Sequence, residues 1–250
     1  MKSKSVLIFG VHPVAEAVQS GRTLEKVLIR QGLKSDMIPG LIHQLQQQNI
    51  PFQFVPPEKL NRMTGGNHQG IIALASEVEY AELEKLIPAL FEQGKLPSIA
   101  LLDGITDVRN IGAIARSASC AGLDAIVVPS KGSALINADA VKASSGALHF
   151  IPVCRAERLT NAARFLQDSG IQLVAASEKA EELIYSADLV RPSAFILGSE
   201  DTGIEPGLLA MADKKVRIPV SGQIKSLNVG AAAAILFYEM VRQRREESKR

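Results

Sequence analysis

The chain has 250 residues, 46% of them apolar and 22% charged, with a formal net charge of +2. That balance describes a globular chain with room for one large domain or two modest ones, and no apolar run approaches the roughly 18 residues of a membrane span. The two cysteines, Cys120 and Cys154, form no CxxC and have no neighbouring histidine, which argues against a structural zinc site or a disulfide framework.

The opening M-K-S-K-S-V-L-I-F-G-V-H places basic residues before a short apolar run. His12 and Pro13 interrupt it and no small-residue cleavage site follows, so it does not read as a signal peptide, and the cytoplasm is the expected compartment. Residues 1–76 then alternate β-rich runs with helical stretches. V-L-I-F and K-V-L-I-R read as strands, 37–48 as a helix, P-F-Q-F-V as a strand, 58–63 as a short helix and G-I-I-A-L-A as a strand. This predicts a small self-contained α/β domain. It carries eight Lys/Arg against four Asp/Glu, so an exposed basic face could favour a polyanion, although scattered solvating lysines account for the charge equally well. Residues 77–97 are acidic and partly helical, close with Gly94 and Pro97, and read as a linker.

The remainder, 98–250, is more regular. S-I-A-L-L-D, A-I-V-V-P, F-I-P-V-C, I-Q-L-V-A-A, A-F-I-L-G and K-V-R-I-P-V read as strands, most of them separated by helical stretches. Near-continuous apolar runs of this kind predict a parallel sheet covered on both faces. Ligands of such sheets bind at loops beyond the carboxyl ends of the strands, which singles out D-G-I-T-D-V-R-N-I-G, L-G-S-E-D-T-G-I and I-P-V-S-G-Q-I-K-S-L-N-V-G. Neither G-x-G-x-x-G nor G-x-x-x-x-G-K-[ST] occurs, which disfavours a dinucleotide fold and a P-loop.

The first loop enters a helix whose apolar arc is Ile111, Ile114, Ala115, Ala118 and Ala121. Its other face is stripped to Gly112, Ala113, Ser117, Ser119 and Cys120, with one long side chain, Arg116. In the second loop Gly198 and Gly203 permit close approach of a ligand to backbone. Glu200 between them could accept from that ligand or merely complement a helix dipole. The third loop leads into a stretch, 228–238, with no charged residue. Such a helix is expected to be buried on nearly all sides, centrally or against a second subunit. Ser226 and Asn228 at its start are natural N-caps, and the helix amino end offers free N–H groups to a ligand.

Together, D-x-x-x-D-x-x-N-x-G-A-x-x-R-S-A, I-L-G-S-E-x-x-G and I-P-x-x-G-x-x-x-S-L-N-V resemble the SpoU/TrmH-type SPOUT RNA 2′-O-ribose methyltransferases over residues 98–245. G-V-H-P-V-A-E-A-V and H-Q-G-I-I-A resemble that family's L30e-like substrate-binding domain, a pairing most similar to enzymes that methylate a guanosine ribose in 23S rRNA. The resemblance implies S-adenosylmethionine as methyl donor, a carboxyl-terminal trefoil knot, and a homodimer with active sites at its interface. It further implies that Asn110, Arg116, Glu200, Ser226 and Asn228 are the functional polar residues. Leu197, Gly198, Ile218 and Leu227, with Glu200 and Ser226, would then line the donor site. A partner subunit and the active site would crowd the small-residue face around Arg116. Val108 departs from the family pattern, which has proline there, and Gly230-Ala231 replace the more usual Ser-Val.

The chemistry suits a sparse polar set. A sulfonium donor carries an activated methyl group, so the protein chiefly aligns acceptor, methyl and leaving sulfur. A guanidinium is a poor base, which favours Arg116 holding an RNA phosphate and stabilising alkoxide charge; proton removal by Arg116, by phosphate or by water stays open. No metal is expected. His12 and His68 lie in the family-like stretches of the first domain, where RNA contact and local packing are both open, while His43 and His149 are dispersed. Phe9, Phe52 and Phe54 could stack on bases or pack in the core. The tail R-Q-R-R-E-E-S-K-R reads as a solvated helix end, with phosphate contact as the other use. The expected partner is RNA, rRNA ahead of tRNA. The rival reading is a non-catalytic RNA-binding or ribosome-assembly protein of the same fold; a nicotinamide oxidoreductase is weakened by the missing glycine fingerprint.

Overall fold

The structure, a computed structural model, describes residues 7–223 and 226–249. The chain forms two compact units divided between Glu79 and Tyr80, residues 136–138 grouping with the first.

The first unit runs β1 (Leu7–Phe9), α1 (Val11–Gln19), β2 (Leu24–Arg30), α2 (Met37–Gln47), β3 (Phe52–Val55), α3 (Pro57–Met63) and β4 (Ile71–Ala75). Its sheet has the order β1-β4-β2-β3, with β4 antiparallel to both neighbours and β2 parallel to β3. That parallel pair needs a crossover, which α2 supplies. Val11, Val14, Ala15 and Val18 fall at the i, i+3, i+4, i+7 spacing of a buried helix face. Val14, Val18, Leu41 and Leu45 from α1 and α2 pack on Val27, Ile29, Ile71 and Ala73 of the sheet. The first strand begins at Leu7 in the described residues; Val6, read as its start, lies outside them.

The second unit runs β5 (Tyr80–Ala81), α4 (Leu83–Glu92), β6 (Ser98–Leu102), α5 (Val108–Ala121), β7 (Ala125–Pro129), α6 (Ala138–Ala143), β8 (Val153–Ala156), α7 (Leu159–Asp168), β9 (Gln172–Ala176), β10 (Glu182–Leu183), β11 (Ser193–Leu197), α8 (Pro206–Ala210), β12 (Lys214–Arg217) and α9 (Val229–Glu247). The sheet order is β10-β12-β9-β11-β6-β7-β8-β5, and all its strand pairs are parallel among the described residues. Every residue of β6 and of β11 is buried, as a strand covered on both faces requires. On one face Ile99, Leu101, Val127, Leu173 and Ile196 meet α4, α7 and α8. The alternate residues face α5 and α9, and there the Phe195 and Phe237 rings pack edge to face at 5.6 Å. β6, β7 and β8 step outward in one direction, whereas β9 returns on the far side of β6 with β11 between them. The reversal puts a crevice at the carboxyl ends of β6, β11, β9 and β12. Among the described residues no helix is long and apolar enough to cross a membrane.

The structure departs from the sequence reading in three places. Much of the segment read as a linker builds β5 and α4, because Leu83, Ile87 and Leu90 form an apolar stripe buried in the second unit's core. The strand read at F-I-P-V-C starts only at Val153, since Phe150 and Ile151 donate their N–H groups to Ala147 in a tight turn. K-V-R-I-P-V leaves the sheet after Arg217, and Pro219 has no N–H to extend a ladder. In the single chain α9 is buried along Val229, Gly230, Ala233, Leu236, Phe237 and Met240 and leaves Tyr238 52% exposed, which leaves burial against a second subunit untested.

The small-residue face of α5 has a cause within the chain. A side chain at Gly112 would collide with Ala143 and the Ser144 backbone, and a Cβ at Gly230 would lie 2.9 Å from that of Ala113. Gly and Ala at these positions let α6 and α9 approach α5 at backbone distance.

Candidate active site

Three strand exits meet at the crevice. After β6, Asp103 continues the ladder by donating its N–H to Leu197 O at 2.8 Å. Its Oδ2 accepts the Glu205 N–H at 2.7 Å, and the Glu205 carboxylate accepts from Gly207 and Leu208 at the start of α8. These bonds fix both ends of the loop that follows β11. Ser199 and Gly203 exchange backbone hydrogen bonds of 3.1 and 3.0 Å, and Ser199 Oγ lies 2.7 Å from Thr202 Oγ1. The turn closes so tightly that a side chain at Gly198 would overlap the Gly203 and Ile204 backbone. Glu200 sits on this turn.

Glu200 Oε1 accepts from Asn110 Nδ2 at 3.0 Å, from Asn228 Nδ2 at 2.6 Å and from the Val229 N–H at 3.3 Å. Asn228 is the N-cap of α9, its Oδ1 accepting from Gly230 at 3.0 Å and Ala231 at 3.4 Å. Two backbone donors on that oxygen identify it as oxygen, so the amide nitrogen must face Glu200 and Asn110. Asn110 follows, with its Oδ1 accepting from Asn228 at 2.9 Å and its nitrogen turned to Glu200. The carboxylate also complements the dipole of α9. Its second oxygen has no partner among the described residues and remains open to a ligand.

Beside this cluster lies a cleft of about 300 Å³. Leu197, Gly198, Glu200, Ile218, Ser226 and Leu227 all line it. The sequence reading missed a fourth exit, Ala176 to Lys179 after β9, which forms another wall. Its signal was present, a polar S-E-K directly after an apolar strand. Ile224 and Lys225 of the third motif lie outside the described residues.

Arg116 stands apart from the cleft. It is exposed, six residues or about 9 Å along α5 from Asn110, and makes no hydrogen bond or ion pair to a described residue. In the loop before it, Asp107 caps α5 by accepting the Arg109 N–H at 2.8 Å, and its carboxylate meets the Arg109 guanidinium at 2.7 Å. The guanidinium bond holds the Asp107 carboxyl below the usual range. His12 is exposed on α1 and His68 lies in the first unit. Among the described residues no group of three or more His, Cys, Asp or Glu could hold a metal ion.

Residues 97–238 match the SpoU rRNA Methylase family model, and residues 7–81 match the model for RNA 2′-O ribose methyltransferase substrate binding. A protein of Staphylococcus saprophyticus assigned to the TrmH family of tRNA/rRNA methyltransferases is 32% identical over 241 residues, covering 96% of this chain and 97% of its own. The crystal structure of an RNA 2′-O ribose methyltransferase superposes with a TM-score of 0.56 at 29% identity, over 95% of this chain and 88% of that one. The TrmH/SpoU tRNA modifying enzyme of A. aeolicus gives a TM-score of 0.56 at 27% identity, over 66% of this chain and 86% of its own. The chain belongs to the SpoU rRNA methylase family.

Proposed function

We propose that the protein transfers a methyl group from S-adenosylmethionine to a ribose 2′-hydroxyl of structured RNA, with rRNA as the substrate. The observation that carries this reading is a cleft walled by the loops after β9, β11 and β12, whose lining residue Glu200 is bonded to Asn110, at the start of α5 after β6, and to Asn228. The cleft is at the lower end of the size range for small-molecule sites, and Gly198 lets the turn that walls it close. Leu197, Gly198, Ile218, Ser226 and Leu227 would hold the donor, largely through backbone groups. The donor brings an activated methyl group, so the protein's work is alignment. Glu200, immobilised by three donors, presents its free oxygen to bound ligand. Arg116 binds the phosphate beside the target ribose and stabilises charge on the 2′-oxygen. Its distance from the cleft in the single chain supports a site completed by a second copy, with exposed Tyr238 of α9 at the contact. The trefoil knot belongs to the same reading.

The preference for rRNA rests on the first unit, the part that matches the substrate-binding model. The A. aeolicus tRNA-modifying enzyme leaves about a third of this chain uncovered, an amount comparable to that unit. Calorimetry with S-adenosylmethionine and mapping of 2′-O-methylation lost from rRNA and tRNA when the gene is deleted test the two halves. Absence of donor binding favours a non-catalytic RNA-binding protein. Loss confined to a tRNA replaces the substrate.

A further inference from the structure

We propose that the first unit carries a binding pocket for a single-stranded RNA segment, in which Arg30 holds a backbone phosphate and the Phe9 ring stacks on a base. The ligand class rests on the RNA methyltransferase reading; the pocket rests on the unit's own geometry.

A shallow cavity of about 470 Å³ is lined by Arg30, Asn61 and the turn 64–70, T-G-G-N-H-Q-G. No carboxylate lines it, and Arg30 is its one cation. The Arg30 guanidinium makes no hydrogen bond or ion pair to a described residue, while its backbone is fixed because its N–H donates to Gly70 O at 2.7 Å. An anchored backbone and an unengaged guanidinium facing polar groups suit a phosphate.

Phe9 lies beside the cavity. A Cβ at Gly66 would come within 2.7 Å of its ring, so the glycine allows the ring to lie directly against the turn. The ring is nevertheless 37% exposed, where a core phenylalanine would be covered. β4 separates β1 from β2, so Phe9 and Arg30 flank the start of β4 at two strand spacings, roughly 10 Å. Adjacent nucleotides of one strand can reach both. Stacking plus phosphate contact is how proteins hold unpaired RNA.

His68 holds the turn in shape. The Gly70 N–H donates to its Nδ1 at 3.0 Å, so that nitrogen is unprotonated, and the proton sits on Nε2, which donates to Asn61 Oδ1 at 2.8 Å. Both ring nitrogens are thus occupied within the protein. His68 is a positioning residue here, and the RNA contacts fall to Phe9 and Arg30. Along the same strand face lies Lys26, whose ammonium is held below the ordinary lysine range by partial burial and then by the neighbouring Lys59 charge.

The test is anisotropy of a 5′-fluorescein-labelled twelve-residue oligouridylate with the full-length chain, at several salt concentrations. Phe9→Ala and Arg30→Ala each weaken binding about tenfold. Arg30→Ala also lowers the salt slope by about 0.7, one single-strand phosphate contact, whereas Phe9→Ala leaves the slope unchanged. Arg30→Lys retains the slope and Phe9→Tyr retains the affinity. S-adenosylmethionine binding, measured in parallel, stays at the wild-type value, and thermal unfolding shows each variant folded at the assay temperature. Wild-type affinity in both alanine variants overturns the proposal, as does an equal slope change in both. Failure of the wild-type chain to bind the probe also overturns it, because stacking and phosphate contact tolerate sequence. Loss of donor binding in the wild-type chain would instead sink the methyltransferase reading, independently of the pocket.

Discussion

Asn228 Nδ2 lies 2.6 Å from Glu200 Oε1, while the other end of the same amide caps α9. One side chain therefore both starts the buried helix and fixes the carboxylate at the cleft. Asn228→Ala removes both contacts, and loss of the cap costs about 1 kcal/mol, or a fall in Tm of roughly 2–4 °C for a protein of this size. Asn228→Asp keeps an acceptor for Gly230 but sets a second negative charge against Glu200. The expected result is a milder loss of stability for the aspartate and weak S-adenosylmethionine binding in both variants, read by melting and calorimetry. Unchanged donor affinity in the aspartate variant would separate the cluster from the donor site.

Arg116 is exposed and makes no hydrogen bond or ion pair to a described residue, so its removal should not disturb the fold. Arg116→Ala is expected to melt like the wild type, bind donor normally and lose methyl transfer by roughly 100- to 1,000-fold, the scale of removing a charge-stabilising donor. Arg116→Lys keeps the charge but not the fork, and should recover only part of the rate. Single-turnover methylation of unmodified rRNA measures both. Near-normal turnover of the alanine variant removes Arg116 from the reaction.

Much of this architecture was legible because period and punctuation agreed. The buried runs of β6 and β11 carry no charged residue, and the spacing of Ile111, Ile114, Ala115 and Ala118 marked the buried side of α5. The loops that converge were legible as strand exits, since parallel strands put every carboxyl end on one side. Illegible were facts set by partners distant in sequence. Nothing local shows that Gly112 is small because Ala143 lies on it, or that Leu83, Ile87 and Leu90 bury an acidic segment's apolar stripe in the sheet's core. The pairing of Asn110 with Asn228 spans 118 residues and needs the sheet order before it can be seen.

Cys154 is 1% exposed, and burial, with the nearby Glu84 charge, pushes its thiol up to about 12. In a Cys120→Ala background the remaining thiol should resist a disulfide reagent at pH 8 until the protein is unfolded. The linkage sign follows from the direction of the shift. An unfolded thiol titrates near 8.5, so the native state holds this proton more tightly. The contribution is therefore fully present below about pH 8.5 and lost as the pH rises toward 12, with a slope of at most about 1.4 kcal/mol per pH unit. Cys154→Ala should flatten that alkaline decline in a urea-unfolding series. An equally steep decline would place its origin elsewhere.

Gly198 and Gly203 lie at the two ends of one turn, and they should respond differently to the same added methyl group. Gly203 has φ +71° but open space around it, so Gly203→Ala meets only backbone strain, on the order of 1 kcal/mol. At Gly198 the new carbon would overlap the backbone of Gly203 and Ile204, and no flexible side chain is there to yield. The turn must open, at a cost of roughly 1–3 kcal/mol, and the displaced segment is the one that carries Glu200 and walls the cleft. Gly198→Ala is thus expected to lose donor affinity by more than tenfold beyond its loss of stability, while Gly203→Ala loses stability with donor binding largely kept. Calorimetry at a temperature where both variants are folded separates the two effects. Equal losses of affinity in the pair would mean that backbone strain, and not the close approach at Gly198, governs the shape of the cleft.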